Sequence, residues 1–217
     1  MNVALIGATG FVGSHLLTEL INRGHKVTAI VRDPAKITTT DSSLVAVKGD
    51  VFDTEKLAAQ FKGHDAVISA YNPGWTNPEI YTEFLQGSKS IQAAAKSAGV
   101  KRYITVGGAG SLEIAPGLQL IDTPNFPESF KPGASAARDY LNILRTETDL
   151  DWTFVSPAIE MHQGTAGVRK GTYRTSLENP VFDEHKRSVI SVEDLAVAIV
   201  DELEQGNFIK KRFTAAY

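Results

Sequence analysis

Three glycines at 7, 10 and 13 stand in the run Gly7-Ala8-Thr9-Gly10-Phe11-Val12-Gly13, between a short apolar run and a stretch of helical periodicity. In a strand-turn-helix unit each has its own use. The first lets the chain turn sharply, the second lets backbone approach a ligand closely, and the third lets the helix lie tight on the sheet. The helix then aims free N–H groups and the positive end of its dipole at a pyrophosphate. Thr9, Phe11 and Val12 lie among the glycines and are candidates to border such a ligand. Further on, Val31 closes a second apolar run and is followed by Arg32, with Lys36 one helical turn beyond. A guanidinium can pair with a 2′-phosphate and stack on adenine, so NADP(H) is favoured over NAD(H). An NAD-selective site instead puts a carboxylate there for the ribose 2′-hydroxyl. Asp33 would supply it if the register slipped by one residue.

The elements that must hold these residues follow from hydrophobic patterning. Apolar runs at Val3–Ile6, Val27–Val31, Leu44–Val47, Ala66–Ala70, Tyr103–Val106 and Trp152–Val155 are continuous rather than alternating, as in strands buried on both faces. Between the first two, Phe11, Val12, Leu16, Leu17, Leu20 and Ile21 recur at helical spacing, and Arg23 and Gly24 close that helix. Further helices are predicted over Thr54–Phe61, Pro78–Ser97 and Ser135–Arg145, and one more after Ser191, with Asp194 as a capping-box-like acid. Phe208–Thr214 reads as a last short strand. Such alternation predicts an α/β protein with a Rossmann-type doubly wound parallel sheet, one domain over residues 1–217. Two long segments, about 111–133 and 160–187, follow the carboxyl ends of predicted strands, where open sheets bind ligands, and are read as substrate-site loops.

Composition removes several classes of function. The 217 residues are 42% hydrophobic and 22% charged with a net charge of −3, ordinary for a chain that fills a core. A pI near 6.0 speaks against broad nucleic-acid binding. There is no cysteine, which excludes disulfides, thiolate metal sites and cysteine nucleophiles. No pair of histidines has metal-ligand spacing, so no metal is expected. His15 reads as structural or phosphate-adjacent, and His25, His64 and His185 as surface residues. The first apolar run is too short to span a bilayer and lacks the flanks of a signal peptide. A cytoplasmic protein with a small-molecule substrate, and neither nucleic acid nor membrane as partner, is expected; nothing indicates an oligomeric state.

GATGFVG at 7–13, with Ile190-Ser191-Val192-Glu193-Asp194-Leu195-Ala196, resembles the extended and atypical short-chain dehydrogenase/reductase families. Its spacing is GxxGxxG rather than the GxGxxG of the standard dinucleotide fingerprint. Thr105–Leu112 and Asp151–Pro157 resemble more narrowly the small NADH-flavin reductase-like proteins, which are similar in turn to biliverdin reductase B and NmrA-like proteins. The resemblance implies that Gly49, Asp50 and Val51 flank adenine, and that Ala70, Tyr71 and Asn72 line the ribose and nicotinamide path. It further implies that Gly107, Gly108 and Ala109 pass beside the nicotinamide ribose, and that Pro157 and Ala158 lie near the ring.

Family reductases use a Tyr-x-x-x-Lys pair helped by a serine to protonate a carbonyl. Here Tyr140 is followed four positions later by Leu144, so the pair is broken. Tyr140 and Ser111 are weak catalytic candidates, Tyr140 being as readily a packing residue and Ser111 a turn residue. Hydride transfer to a flavin needs mainly close ring approach, so FMN or FAD as the substrate accommodates the loss. A non-catalytic NADP(H)-binding sensor of the NmrA-like type would show the same pattern. An epimerase would want the missing pair. Trp75, Phe126, Phe130 and His162 could stack on or donate to an acceptor ring, or be ordinary loop packing.

Overall fold

A computed structural model describes residues 1–217. Its strands are β1 (Asn2–Ile6), β2 (Lys26–Val31), β3 (Leu44–Lys48), β4 (Ala66–Ser69), β5 (Arg102–Val106), β6 (Glu113–Ala115), β7 (Leu118–Gln119), β8 (Asp151–Ser156), β9 (Arg174–Ser176) and β10 (Lys211–Ala216). The helices are α1 (Phe11–Asn22), α2 (Thr54–Phe61), α3 (Ile80–Ser97), α4 (Lys131–Leu144) and α5 (Val192–Gln205). Eight strands form one sheet in the order β3-β2-β1-β4-β5-β8-β10-β9, parallel except for β9, while β6 and β7 make a separate hairpin. This is the doubly wound Rossmann-type arrangement that the alternating pattern predicts.

The register shows why continuous apolar runs were needed. Val3 and Leu5 of β1 face one core with Leu16, Leu17 and Leu20 of α1 and Leu195 and Ile199 of α5. Ala4 and Ile6 face the other, with Leu57 of α2, Phe84 and Ile91 of α3 and Leu141 of α4. Both faces are covered, so Val3 to Ile6 are all core; β3 departs from the expectation, because it lies at the sheet edge with no buried residue and Val45 is 58% exposed. Gly24, at φ +76°, ends α1 as a left-handed residue should. Ser191 caps α5, its Oγ accepting from Asp194 N at 3.1 Å.

Several expectations are corrected. Helix α4 starts at Lys131 rather than Ser135, because Pro132 suits a first helical turn, where no N–H is needed. Helix α3 begins at Ile80, after a turn in which Asn77 Oδ1 accepts from Glu79 N. The last strand is Lys211–Ala216, since Lys210 turns the chain at φ +56°. The polar run Arg174–Ser176, inside a predicted loop, is an edge strand beside β10, where no apolar face is required. His25 is not a surface residue: it is 6% exposed, with Nε2 2.9 Å from Glu204 Oε1. His64 is half-buried, with Nε2 2.8 Å from Thr28 Oγ1.

One carboxylate makes stability depend on acid. Glu147, between α4 and β8, accepts from Asp149 N at 2.7 Å, Gln92 Nε2 at 2.8 Å and Lys96 Nζ at 3.1 Å. Burial alone would raise its pKa, but these donors outweigh burial and hold it down at about 2. The native carboxyl thus binds its proton more weakly than the unfolded one, whose ordinary value is 4.5. Its stabilisation is complete above that value and is lost as pH falls toward 2. Urea denaturation of Glu147→Gln should therefore show a deficit against wild type at neutral pH that shrinks toward pH 2; an equal deficit throughout contradicts this.

Candidate functional site

Strand β1 leads through α1 to β2 on one side, and β4 leads through α3 to β5 on the other. Where these connections diverge, the carboxyl ends of β1 and β4 leave a crevice, the usual ligand position in such sheets. Gly7 lies in it at φ +82°, so close to β4 that a Cβ would meet Ala70 O at 2.5 Å. Gly13, in the first turn of α1, is closer still: a Cβ there would meet Gly7 O at 2.0 Å. Both glycines are required by the fold.

Gly10 is different. It is exposed, its φ of −83° and ψ of 172° suit any residue, and a Cβ would find only Gly7 O, at 3.3 Å. Thr9 beside it is exposed, while Phe11 and Val12 are half-buried. As N-cap of α1, Gly10 offers no side chain, and the first turn carries no acid. The N–H groups of Phe11, Val12 and Gly13 have no intrahelical partner, and the positive helix end has no compensating charge. Helix α2, by contrast, is capped by Asp53 with Glu55 following, and α5 by Ser191 with Glu193 and Asp194 following. An open, uncompensated helix start behind a glycine loop fits a pyrophosphate. His15 is tied elsewhere, donating from Nδ1 to Phe11 O at 2.8 Å and lying 3.5 Å from Glu193 of α5. It is the structural member of its two readings.

At the end of β2, Arg32 is exposed and has no ion-pair partner. Asp33 is committed to its own turn, its carboxylate accepting from Ala35 N at 3.1 Å as the cap of Pro34–Lys36. That leaves Arg32 as the free polar group at this strand end, with Lys36 exposed at the end of the turn. After β3, Asp50 is exposed and accepts from Phe52 N at 3.0 Å, and Val51 is half-buried against the α2 side of the core. Gly49 makes room for Ile30, whose Cγ2 would lie 2.4 Å from a Cβ.

Beyond β4, Ala70 and Tyr71 are half-buried and Asn72 is exposed, its Oδ1 accepting from Gly74 N at 2.7 Å. The Tyr71 ring lies in the space left by Gly87, stacks on Phe84 and donates from its hydroxyl to Glu83 O at 3.3 Å. Burial first, then the Glu83 charge, push its phenol up to about 12, with Arg32 acting in the opposite sense. Tyr71 is thus fixed by packing, with its hydroxyl committed to Glu83 O. Gly107, at the end of β5, has a packing reason of its own: a Cβ would strike the Phe154 ring at 1.8 Å. Gly108 and Ala109 are half-buried beside α4, whereas Pro157 and Ala158, after β8, are buried.

Neither catalytic candidate is free. Tyr140 is fully buried, its hydroxyl 3.0 Å from that of Tyr103 and donating to Ser88 O at 3.2 Å. Burial pushes its pKa well above the ordinary value. Ser111 is 3% exposed and its Oγ accepts from Arg212 Nη1 at 3.0 Å. Arg212 also pairs with Glu178, which Arg145 meets at 2.9 Å. Glu178 therefore fastens the second long segment to β10 and α4. The only sign of it in the sequence is an arginine inside the apolar run of the last strand. The same segment is held at its middle: Glu193 accepts from Gly167 N at 2.8 Å, and Asp194 from Lys170 N at 2.9 Å and Gly171 N at 2.8 Å. Sequence reading assigned Asp194 only to capping. His162 is exposed and its Nδ1 accepts from Gly164 N at 3.0 Å, which leaves the proton of the neutral ring on Nε2.

Fold and crevice define an NAD(P)H-binding domain of the atypical short-chain dehydrogenase/reductase superfamily. The chain belongs to the NAD(P)H-binding family, whose model matches residues 7–205. It is similar to the uncharacterized protein YwnB of Bacillus subtilis, at 36% identity over 99% of this chain and 97% of that protein. Among solved structures, a Bacteroides thetaiotaomicron protein described as a "putative epimerase" superposes with TM-score 0.91 at 46% identity, over 100% of this chain and 96% of that one. A "putative NADH-flavin reductase" of Streptococcus pneumoniae superposes with TM-score 0.83 at 38% identity, over 100% and 99%. The family and the likeness to the Streptococcus pneumoniae protein so described support a redox role. No helix is long and apolar enough to cross a membrane.

Proposed function

We propose that the protein is a cytoplasmic NADPH-dependent reductase of flavins or similar conjugated acceptors, with residues 1–217 acting as one nucleotide-binding unit. The observation that carries the reading is the exposed Gly10 in front of an uncapped, acid-free α1, a glycine for which the fold itself has little need. In this reading the N–H groups of Phe11, Val12 and Gly13 bind the pyrophosphate, and Arg32 takes the 2′-phosphate. Asp50 and Val51 border adenine, and Tyr71 forms one wall. Gly107 to Ala109 and Pro157 to Ala158 flank the nicotinamide end. When bound, the reduced nicotinamide supplies a hydride, its C4–H bond breaking as an N5–H bond forms on oxidised flavin, and one solvent proton completes the dihydroflavin.

The chain's own part is to orient and to exclude water, and it needs no placed proton donor. That favours a flavin over a ketone or a sugar as acceptor. Tyr140 is sealed in the core, Leu144 stands where a lysine would assist it, and Ser111 is bound to Arg212. The same facts speak against the epimerase chemistry named for the Bacteroides neighbour.

Arg32→Ala should weaken NADPH by about 1.5–3 kcal/mol, the range for charged hydrogen bonds, and leave NADH unchanged. Fluorescence titration with each nucleotide measures this. Equal losses for both would remove Arg32 from the 2′-phosphate.

A further inference from the structure

Two aromatic rings stand exposed side by side, on the segments that follow β4 and precede α4. Trp75, on the segment after β4, is 55% exposed, and Phe130, just before α4, is 45% exposed. Their centroids are 5.3 Å apart with planes at 81°, so together they form a corner: one ring offers a face, the other an edge. The corner is built rather than incidental. Trp75 is seated on Gly133 of α4, where a Cβ would meet its Cζ3 at 2.8 Å. The segment carrying it is stiffened by Asn72 accepting from Gly74 N, Asn77 N donating to Gly74 O at 3.1 Å, and Asn77 Nδ2 donating to Glu83 at 2.9 Å. Phe126 differs, being half-buried with its Cζ 3.7 Å from the Cβ position of Gly110.

One end of α4 connects this corner to the nicotinamide end of the crevice. Ala137 lies 3.6 Å from the Cβ position of Gly108, Ala134 lies 2.9 Å from that of Gly110, and Gly133 lies under Trp75. From Ala137 back to Gly133 is one helical turn, about 6 Å of rise. The corner and the Gly108 turn, which is assigned to the nicotinamide end, are therefore packed on neighbouring turns of one helix.

We infer that Trp75 and Phe130 form the acceptor subsite, and that its ligand is a flat conjugated ring, an oxidised flavin in the first instance. The inference rests on the reductase reading above. A face-and-edge aromatic corner suits a planar π-system, which can stack on one ring and meet the other at its rim. It also accounts for a large exposed tryptophan on a rigid segment.

Trp75 is itself the probe, because the chain has two tryptophans and Trp152 is 3% exposed. The protein is saturated with NADP+, so that no turnover occurs, and titrated with FMN while tryptophan emission is followed in wild type and in Trp75→Phe. The difference between the two reports Trp75 and should fall saturably with FMN. Trp75→Ala should raise the FMN Kd, read from flavin anisotropy, and the KM for FMN by about tenfold, the size of one stacking contact, with the NADPH Kd unchanged. If FMN oxidises bound NADPH while Trp75 emission and the Trp75→Ala constants do not change, the subsite is overturned and the reductase reading stands. If FMN quenches Trp75 without oxidising NADPH, the subsite stands and the reductase reading fails. If FMN neither quenches nor oxidises, both are overturned.

Discussion

Gly10→Val should abolish NADPH binding and leave the fold standing. Valine accepts the extended backbone of residue 10, and the one atom near its Cβ, Gly7 O at 3.3 Å, has to yield only slightly. Replacing glycine at an N-cap by a branched apolar residue costs about 1 kcal/mol, which lowers Tm by roughly 2–4 °C in a chain of this size. Its methyl groups, however, would occupy the space in front of the Phe11 and Val12 N–H groups. Losing two or more charge-assisted hydrogen bonds, each worth about 1.5–3 kcal/mol, weakens NADPH by more than roughly 100-fold. NADH should suffer equally, which separates this variant from Arg32→Ala. Retained affinity in a folded Gly10→Val protein would mean that the loop is a turn and nothing more.

Gly13→Ala should do the opposite, although it lies three residues away and adds less. Its Cβ would stand 2.0 Å from Gly7 O and 2.6 Å from Gly7 C, both backbone atoms of a loop already fixed against Ala70. No rotamer change relieves such a contact. Either α1 shifts off the sheet, pulling Leu16, Leu17 and Leu20 out of their core, or the Gly7 turn is deformed. A loss of about 3 kcal/mol or more is expected, at or above the top of the usual overpacking range. Urea denaturation at neutral pH measures it; near-wild-type stability would contradict the tight seat of α1 on the loop.

This contrast also marks what the sequence could and could not reveal. Three glycines in a strand-turn-helix announced a dinucleotide loop, and β1, β2, β4, β5 and β8 were visible because strands covered on both faces must be apolar throughout. The sequence already divided the roles, turn for Gly7, packing for Gly13 and ligand approach for Gly10; what it could not supply is the neighbouring backbone, Ala70 O and Gly7 O, that makes the first and third glycines obligatory. Gly107 illustrates the reverse: the family resemblance offered a ligand reason, and the structure supplies a packing one, the Phe154 ring. Edge strand β9 escaped notice because an edge needs no apolar face, and His25 because Glu204 is 179 residues away in sequence. Long-range pairs such as Arg212 with Glu178, and Asp194 with the backbone of Lys170 and Gly171, leave no local signal. The broken Tyr140–Leu144 pair was legible, and burial of Tyr140 against Tyr103 gives it a physical reason.

On the proposal made above, this crevice holds NADPH and passes its hydride to a flat acceptor without a protein proton donor. This is tested most directly by adding FMN to the NADPH-saturated protein and following the absorbance of reduced nicotinamide, with Gly10→Val as the control. The expected result is a loss of absorbance proportional to wild-type protein and absent in Gly10→Val. NADPH bound tightly by wild type, with absorbance no different from the Gly10→Val sample after FMN, would contradict it and leave a nucleotide-binding sensor in its place.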